Sequence, residues 1–367
     1  MTLPRVLPTS PAIQALGFSW PKAAPYCLRH RFSTGLLALL MTALVPALVP
    51  AFVPSAHALV FKDASLQQAL EAGNVADLER LGQQRLAAAS DDLEGLVARA
   101  WALSLGFDGR QLEAGQKLAE QCVARAANEA ICHLALAQVQ GKQVLVESRL
   151  KGMSLLPRVR ASLSRALELD PDLYEARSKL AQIYLLIPEF LGGSVKKARE
   201  LEQAIRSKQP EQARLLRSLI AARQDSWDEA ERELMAVRVG TDAALAEDVR
   251  NAYGELGRHW IKAQQFERVR RLYEQLQKDQ PAQAAASYYL GRLAQELDQN
   301  AEAVRHFEKA LSLAGAEGLP IDHRLGDALV ATGQIERARS VYKRYIDSKR
   351  AEPGHLKDAR KSLAALG

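Results

Sequence analysis

The chain lacks the alternating polar and apolar runs that mark β-strands, which argues against an α/β enzyme fold. It also lacks G-x-S-x-G, a Walker loop and G-x-G-x-x-G, which removes the common nucleophile-elbow, nucleotide and dinucleotide sites. Histidine is sparse. His259, His306, His323 and His355 have no H-x-x-x-H or H-E-x-x-H neighbour and read as exposed helical residues. Lone carboxylates such as Asp225, Asp228 and Glu229 read as turn and helix-start residues. No catalytic constellation, cofactor motif or metal motif emerges, and the expectation is a protein that is not an enzyme.

Cysteine is scarce as well, with three in 367 residues. Cys27 precedes a long apolar run and cannot be a lipoprotein cysteine, which must follow one. Cys122 and Cys132 flank an expected interhelical turn near Ala126–Asn128. Antiparallel helices would set them opposite one another, which permits a disulfide in an oxidising compartment. Two small buried thiols packing like alanine are the alternative. Cys132 and His133 are adjacent on one helix and cannot converge on an ion with Cys122, so zinc is not expected.

Acidic residues are missing from residues 1–58. Arg29, His30 and Arg31 there flank an apolar run, Leu36 to Val53, and Ser55-Ala56-His57-Ala58 offers an Ala-x-Ala cleavage site. That is the pattern of a signal peptide with a long N-terminal extension. Export to the periplasm or beyond follows, with cleavage after Ala58. A retained N-terminal membrane anchor is the alternative, although Pro46, Pro50 and Pro54 interrupt the run. The full chain has net charge +6. Without the four cations of this segment, 45 basic and 43 acidic side chains remain, a net charge of +2. The basic balance therefore does not argue for nucleic acid.

What is present is a 34-residue beat. Gly257, Gly291 and Gly326 each follow a leucine, and Val269, Ala303 and Ala338 come twelve residues after them. Tyr273, Phe307 and Tyr342 follow four later. Such a period means stacked helical hairpins. Gly291 and Ala303 supply the close approach within one hairpin, while Leu290 and Phe307 are expected to fill the space toward the next. Pro281 falls where a second helix must stop. Residues 59–367 read as one continuous domain with its clearest repeats at 250–283, 284–318 and 319–347. Extra residues intervene at 141–156, and a basic C-terminal helix at about 348–366 caps the array.

The run Tyr289-Leu290-Gly291 through Ala303, Phe307 and Ala310 resembles the tetratricopeptide repeat. Weaker copies occur around Ala198 to Pro210, at Trp227, Ala230 and Leu234, and at Ala166 to Pro171. Gly152-Met153-Ser154, Leu169-Asp170-Pro171 and the loop from Pro188 to Ser194 are similar to secreted bacterial members without an assigned activity. The resemblance implies an all-α, right-handed solenoid of antiparallel hairpins whose first helices line a concave side. Positions three before and one after each glycine would face it: Gly254 and Arg258, Tyr288 and Arg292, His323 and Asp327. Arg258, Tyr288, Arg292 and Gln295 are the expected binding residues, able to grip a carboxylate through forked arginine bonds. Pairing of the two arginines with Glu255 or Glu296 is the competing reading. The lysine-and-asparagine clamp of the chaperone-binding members is absent.

The partner expected is a protein or peptide, with no nucleic acid. Membrane contact is expected only through the signal peptide or the basic C-terminal helix. The other reading is a carrier that encloses a small or lipidic ligand between the array and the 141–156 insertion. Gly192-Gly193-Ser194 precedes a helix and reads as a capped helix start rather than a phosphate loop.

Overall fold

Helix-favouring sequence interrupted every 10–20 residues by caps produces a chain of short helices joined by tight turns. The structure, a computed structural model, describes residues 59–348 and 350–367; the expected signal peptide, its cleavage site and Cys27 lie outside them. The described residues contain seventeen α-helices and no strand. In order they are α1 (Ala64–Glu71), α2 (Val75–Ala88), α3 (Leu93–Ser104), α4 (Gly109–Arg125), α5 (Ala130–Val146) and α6 (Arg149–Leu169). Then come α7 (Tyr174–Leu186), α8 (Val195–Ile205), α9 (Pro210–Arg223), α10 (Trp227–Met235), α11 (Ala243–Lys262) and α12 (Phe266–Asp279). The last are α13 (Ala284–Glu296), α14 (Asn300–Leu311), α15 (Ile321–Ala331), α16 (Ile335–Asp347) and α17 (Pro353–Ala364). Each helix packs on the next, which makes eight hairpins followed by one final helix.

The turns show why the hairpins repeat. In the turns after α1, α9, α11, α13 and α15, an N–H reaches back to a carbonyl five residues earlier: Asn74 to Ala69, Ser226 to Ala221, Gln265 to Trp260, Gln299 to Ala294 and Gln334 to Leu329. The residue before each donor is left-handed: Gly73, Asp225, Gln264, Asp298 and Gly333. This is one helix-ending motif used five times. Only two of its five left-handed positions are glycine, so the sequence pattern does not display it.

The repeat glycines allow the two helices of a hairpin to close. A β-carbon on Gly291 would lie 2.6–3.0 Å from ring carbons of Phe307, and Gly257 and Gly326 stand in the same relation to Tyr273 and Tyr342. The aromatic thus covers the glycine of its own hairpin, rather than filling only the space toward the next one as expected. Phe307, Tyr273, Tyr342, Val269, Ala303 and Ala338 are all buried. Burial of such rings contributes several kcal/mol per repeat by area, about 25 cal/mol for each Å² of apolar surface.

Residues 141–156 are helical almost throughout. Residues 141–146 prolong α5, residues 147–148 turn, and residues 149–156 begin α6. The turn after α7 holds a short 3-10 segment, Glu189–Leu191, then Gly192 at φ +92°. Ser194 caps α8 by accepting the Lys197 N–H at 3.2 Å, as a helix start does.

Candidate functional site

Sequence placed Arg258, Tyr288, Arg292 and Gln295 on one binding face. Three of them, on α13, do come together. Tyr288 is half-buried, with its ring centroid 5.9 Å from that of Phe307. Arg292 donates to Gln295 at 3.5 Å and to Glu296 at 3.3 Å, and Gln295 donates to the Arg324 carbonyl at 3.2 Å. Arg258, on α11, is more exposed and ion-paired with Glu255. Both arginines thus carry the helix-neighbour pairs foreseen as the competing reading. They still act on a common point, because each lies within electrostatic reach of the buried Tyr273 hydroxyl.

Two of the three positions that precede a repeat glycine by three, Gly254 and His323, do not line an open face, contrary to expectation, whereas Tyr288 stays partly exposed. Gly254 is covered by the Tyr289 hydroxyl of the following hairpin, and that hydroxyl donates to the Arg250 carbonyl at 3.2 Å. His323 is 2% exposed and packs between Tyr342, Tyr345 and His355. The reason is superhelical packing: these positions meet the next hairpin, or, for the last one, α17. His323 and His355 are also not isolated, since their Nδ1 atoms lie 2.9 Å apart. One ring must donate and the other accept, which requires both to be neutral or share one proton. Burial and the nearby Arg324 and Arg292 push His323 down to about 4 and His355 down to about 3. His259 is stacked on Trp227, centroids 3.8 Å apart, rather than free on a helix surface.

A residue that sequence reasoning passed over completes the α13 group. Arg324, on α15, points its Nη1 at Asp327 at 3.4 Å, while its buried Nε has no hydrogen-bond partner. Arg292 and Arg324 repel each other, and burial with that repulsion lowers Arg292 below its usual value. Asp327 is raised by burial, although it accepts a 2.7 Å hydrogen bond from Tyr342. Two guanidiniums are therefore held close with long, imperfect bonds to the available acids. Lys142 of α5 holds its ammonium 3.5 Å from the Phe107 ring centroid. Burial lowers Lys142 to about 8, against the opposing pull of Glu352, which precedes α17. Burial raises Glu352 above its usual value, and Lys142 and Arg324 only partly oppose that rise.

A second polar group sits on α7 and α11. Asp248 accepts from Tyr174 at 2.9 Å, Ser178 at 2.5 Å and Gln182 at 3.3 Å. Three donors to one carboxylate make it a structural clasp between hairpins. Glu175 beside it is raised to about 7 by burial, helped by the charges of Asp242 and Asp248. Cys122 and Cys132 are joined as a disulfide across the α4–α5 turn, Cα atoms 5.3 Å apart and both fully buried. Among the described residues no group of three His, Cys, Asp or Glu could hold a metal ion.

The chain matches known proteins in one respect. Residues 284–317, which are α13, its turn and α14, match the tetratricopeptide repeat family model. That segment is therefore similar to a single tetratricopeptide repeat. No curated protein matches it. Among solved structures, a tetratricopeptide repeat protein from Parabacteroides merdae is 15% identical, over 75% of this chain and 98% of that one, at a TM-score of 0.39. A monomeric mutant of IFIT1 with Gppp-AAAA is 17% identical, over 80% of this chain and 67% of that one, at 0.48. TTC0263, a thermophilic repeat protein of Thermus thermophilus, is 17% identical, over 63% and 98%, at 0.30.

Proposed function

We propose that this protein is an exported helical-repeat scaffold that binds a protein or peptide segment, and that it makes and breaks no bond. The repeat fold commonly serves as an interaction scaffold, and recognition here rests on shape and charge along the first helices of the hairpins. The observation that carries the reading is the pairing of Arg292 and Arg324 beside Tyr288 and Gln295, with an unfilled Arg324 donor. An anionic group on the ligand, such as a carboxylate, relieves the repulsion and bonds the partly exposed ends of the two guanidiniums. Arg258, paired and more exposed, takes a lesser part than the sequence pattern assigned to it.

Export is supported by the Arg29-to-Ala58 pattern and by a disulfide between Cys122 and Cys132, a feature that suits an oxidising compartment. Two measurements test these points. N-terminal sequencing of protein recovered from the cell envelope should begin at Leu59; an intact chain in the cytosol overturns export. Recovery of bound partner should be lost in Arg292→Ala/Arg324→Ala with helical circular dichroism intact, whereas unaltered recovery moves the binding face elsewhere. A native mass spectrum that retains a lipid would replace the scaffold reading with that of a carrier.

A further inference from the structure

Exposed large apolar side chains are few and clustered. Among the described residues they are Leu59, Leu145, Leu150, Leu186, Phe190, Met235 and Leu311. Four of these seven flank the turns within two successive hairpins. Leu145 and Leu150, 58% and 82% exposed, straddle the α5–α6 turn. Leu186 and Phe190, 67% and 78% exposed, straddle the start of the α7–α8 turn. Chain direction puts both turns on one edge of the array: α6 runs away from the first, and α7 runs back to the second. Arg160 of α6 fixes the spacing by donating to the Gly192 carbonyl at 2.7 Å. Ten residues of α6 separate Arg160 from Leu150, so the α5–α6 tip stands about 15 Å beyond that tie.

Apolar side chains this exposed mark a contact surface when they cluster. Their neighbours say what kind. Lys151, Arg158, Lys196 and Lys197 are exposed around the two turns, against Glu147 and Glu189. Lys197 also lies 5.4 Å from the Tyr184 ring centroid, at the same edge. Leucine and phenylalanine at projecting tips, rimmed by an excess of lysine and arginine, suit the boundary between headgroups and acyl chains of an anionic bilayer. No described helix is long and apolar enough to cross a membrane, so the contact is peripheral. We infer that the edge formed by the α5–α6 and α7–α8 turns is a membrane-docking surface that lies obliquely on anionic lipid, with Leu145 and Leu150 inserted at its leading tip and Leu186 and Phe190 along its flank. It is separate from the Arg292–Arg324 group and stands or falls independently of it.

Hydrogen exchange of the full chain, with and without vesicles, tests this at the residues concerned, whatever the apolar run at Leu36 to Val53 does. Phosphatidylglycerol-containing vesicles should protect peptides covering 143–158 and 186–197, and pure phosphatidylcholine vesicles should not. Leu150→Glu/Phe190→Glu changes only exposed side chains, so its circular dichroism should match the parent. It should abolish the lipid-dependent protection, cutting its extent at least tenfold, and added salt should weaken it in the parent. Vesicle binding without protection of these two turns overturns the inference. So does equal protection by neutral lipid. Protection that grows with protein concentration in the absence of vesicles assigns the edge to a second copy of the chain instead.

Discussion

Gly291→Ala isolates the contact on which the repeat depends. A methyl at this position lies 2.6, 2.8 and 3.0 Å from three ring carbons of Phe307. Ordinary carbon contacts lie at about 3.5–4.0 Å, so the ring must move by about 1 Å. Phe307 is fully buried and cannot simply swing outward. Overpacking of this sort costs about 1–3 kcal/mol. The same change also removes the entropic penalty of a mid-helix glycine, a gain of about 1 kcal/mol. Gly141→Ala supplies the control. It sits within α5, and its nearest foreign atom is Val159 Cγ1 at 4.0 Å, so it collects the helix gain without a clash. The difference between the two variants is then the overpacking alone, about 1–3 kcal/mol. Urea unfolding followed by circular dichroism, with comparable slopes, reads it directly. Adding Phe307→Leu to Gly291→Ala should cost less than the sum of the single changes, because the smaller side chain leaves room for the methyl. If Gly291→Ala stabilises as much as Gly141→Ala, the glycine-on-ring reasoning is wrong.

Three further outcomes are expected. His323 and His355 have folded pKa values below the ordinary 6.5, so their contribution is complete above that pH and is lost as pH falls toward 4; amide exchange in α17 should accelerate across that window, by about 2 kcal/mol of local stability per histidine at pH 5. Reduction of the Cys122–Cys132 bridge should cost about 2–3 kcal/mol from its short loop; mass mapping of non-reduced peptides that finds two free thiols in envelope protein excludes the bridge. Gln264→Gly, at φ +57° in the α11–α12 turn, should stabilise by about 0.5–1 kcal/mol by relieving a left-handed non-glycine residue, as a shifted urea midpoint would record.

Much of the fold was legible because the repeat is local. A leucine-glycine pair, a small residue twelve later and an aromatic four beyond fall within one hairpin, so period and chemistry together specify two packed helices. The position of the cysteines about one turn is likewise a short-range matter. The tie from Gly254 to Tyr289, the His323–His355 pair, and the opposition of Lys142 to Glu352 are of another kind. They join different hairpins, and a one-residue rotation of either helix would abolish them. Arg324 illustrates the limit. In the sequence it is one arginine among many, and only the packing of α15 against α13 brings it to Arg292 and leaves its Nε buried without a partner. The sequence alone therefore determined the hairpin and its period, through contacts a few turns apart. The angles between hairpins, and with them which polar side chains face one another, were decided by tertiary packing, because those angles depend on how every buried side chain at each interface fits at once.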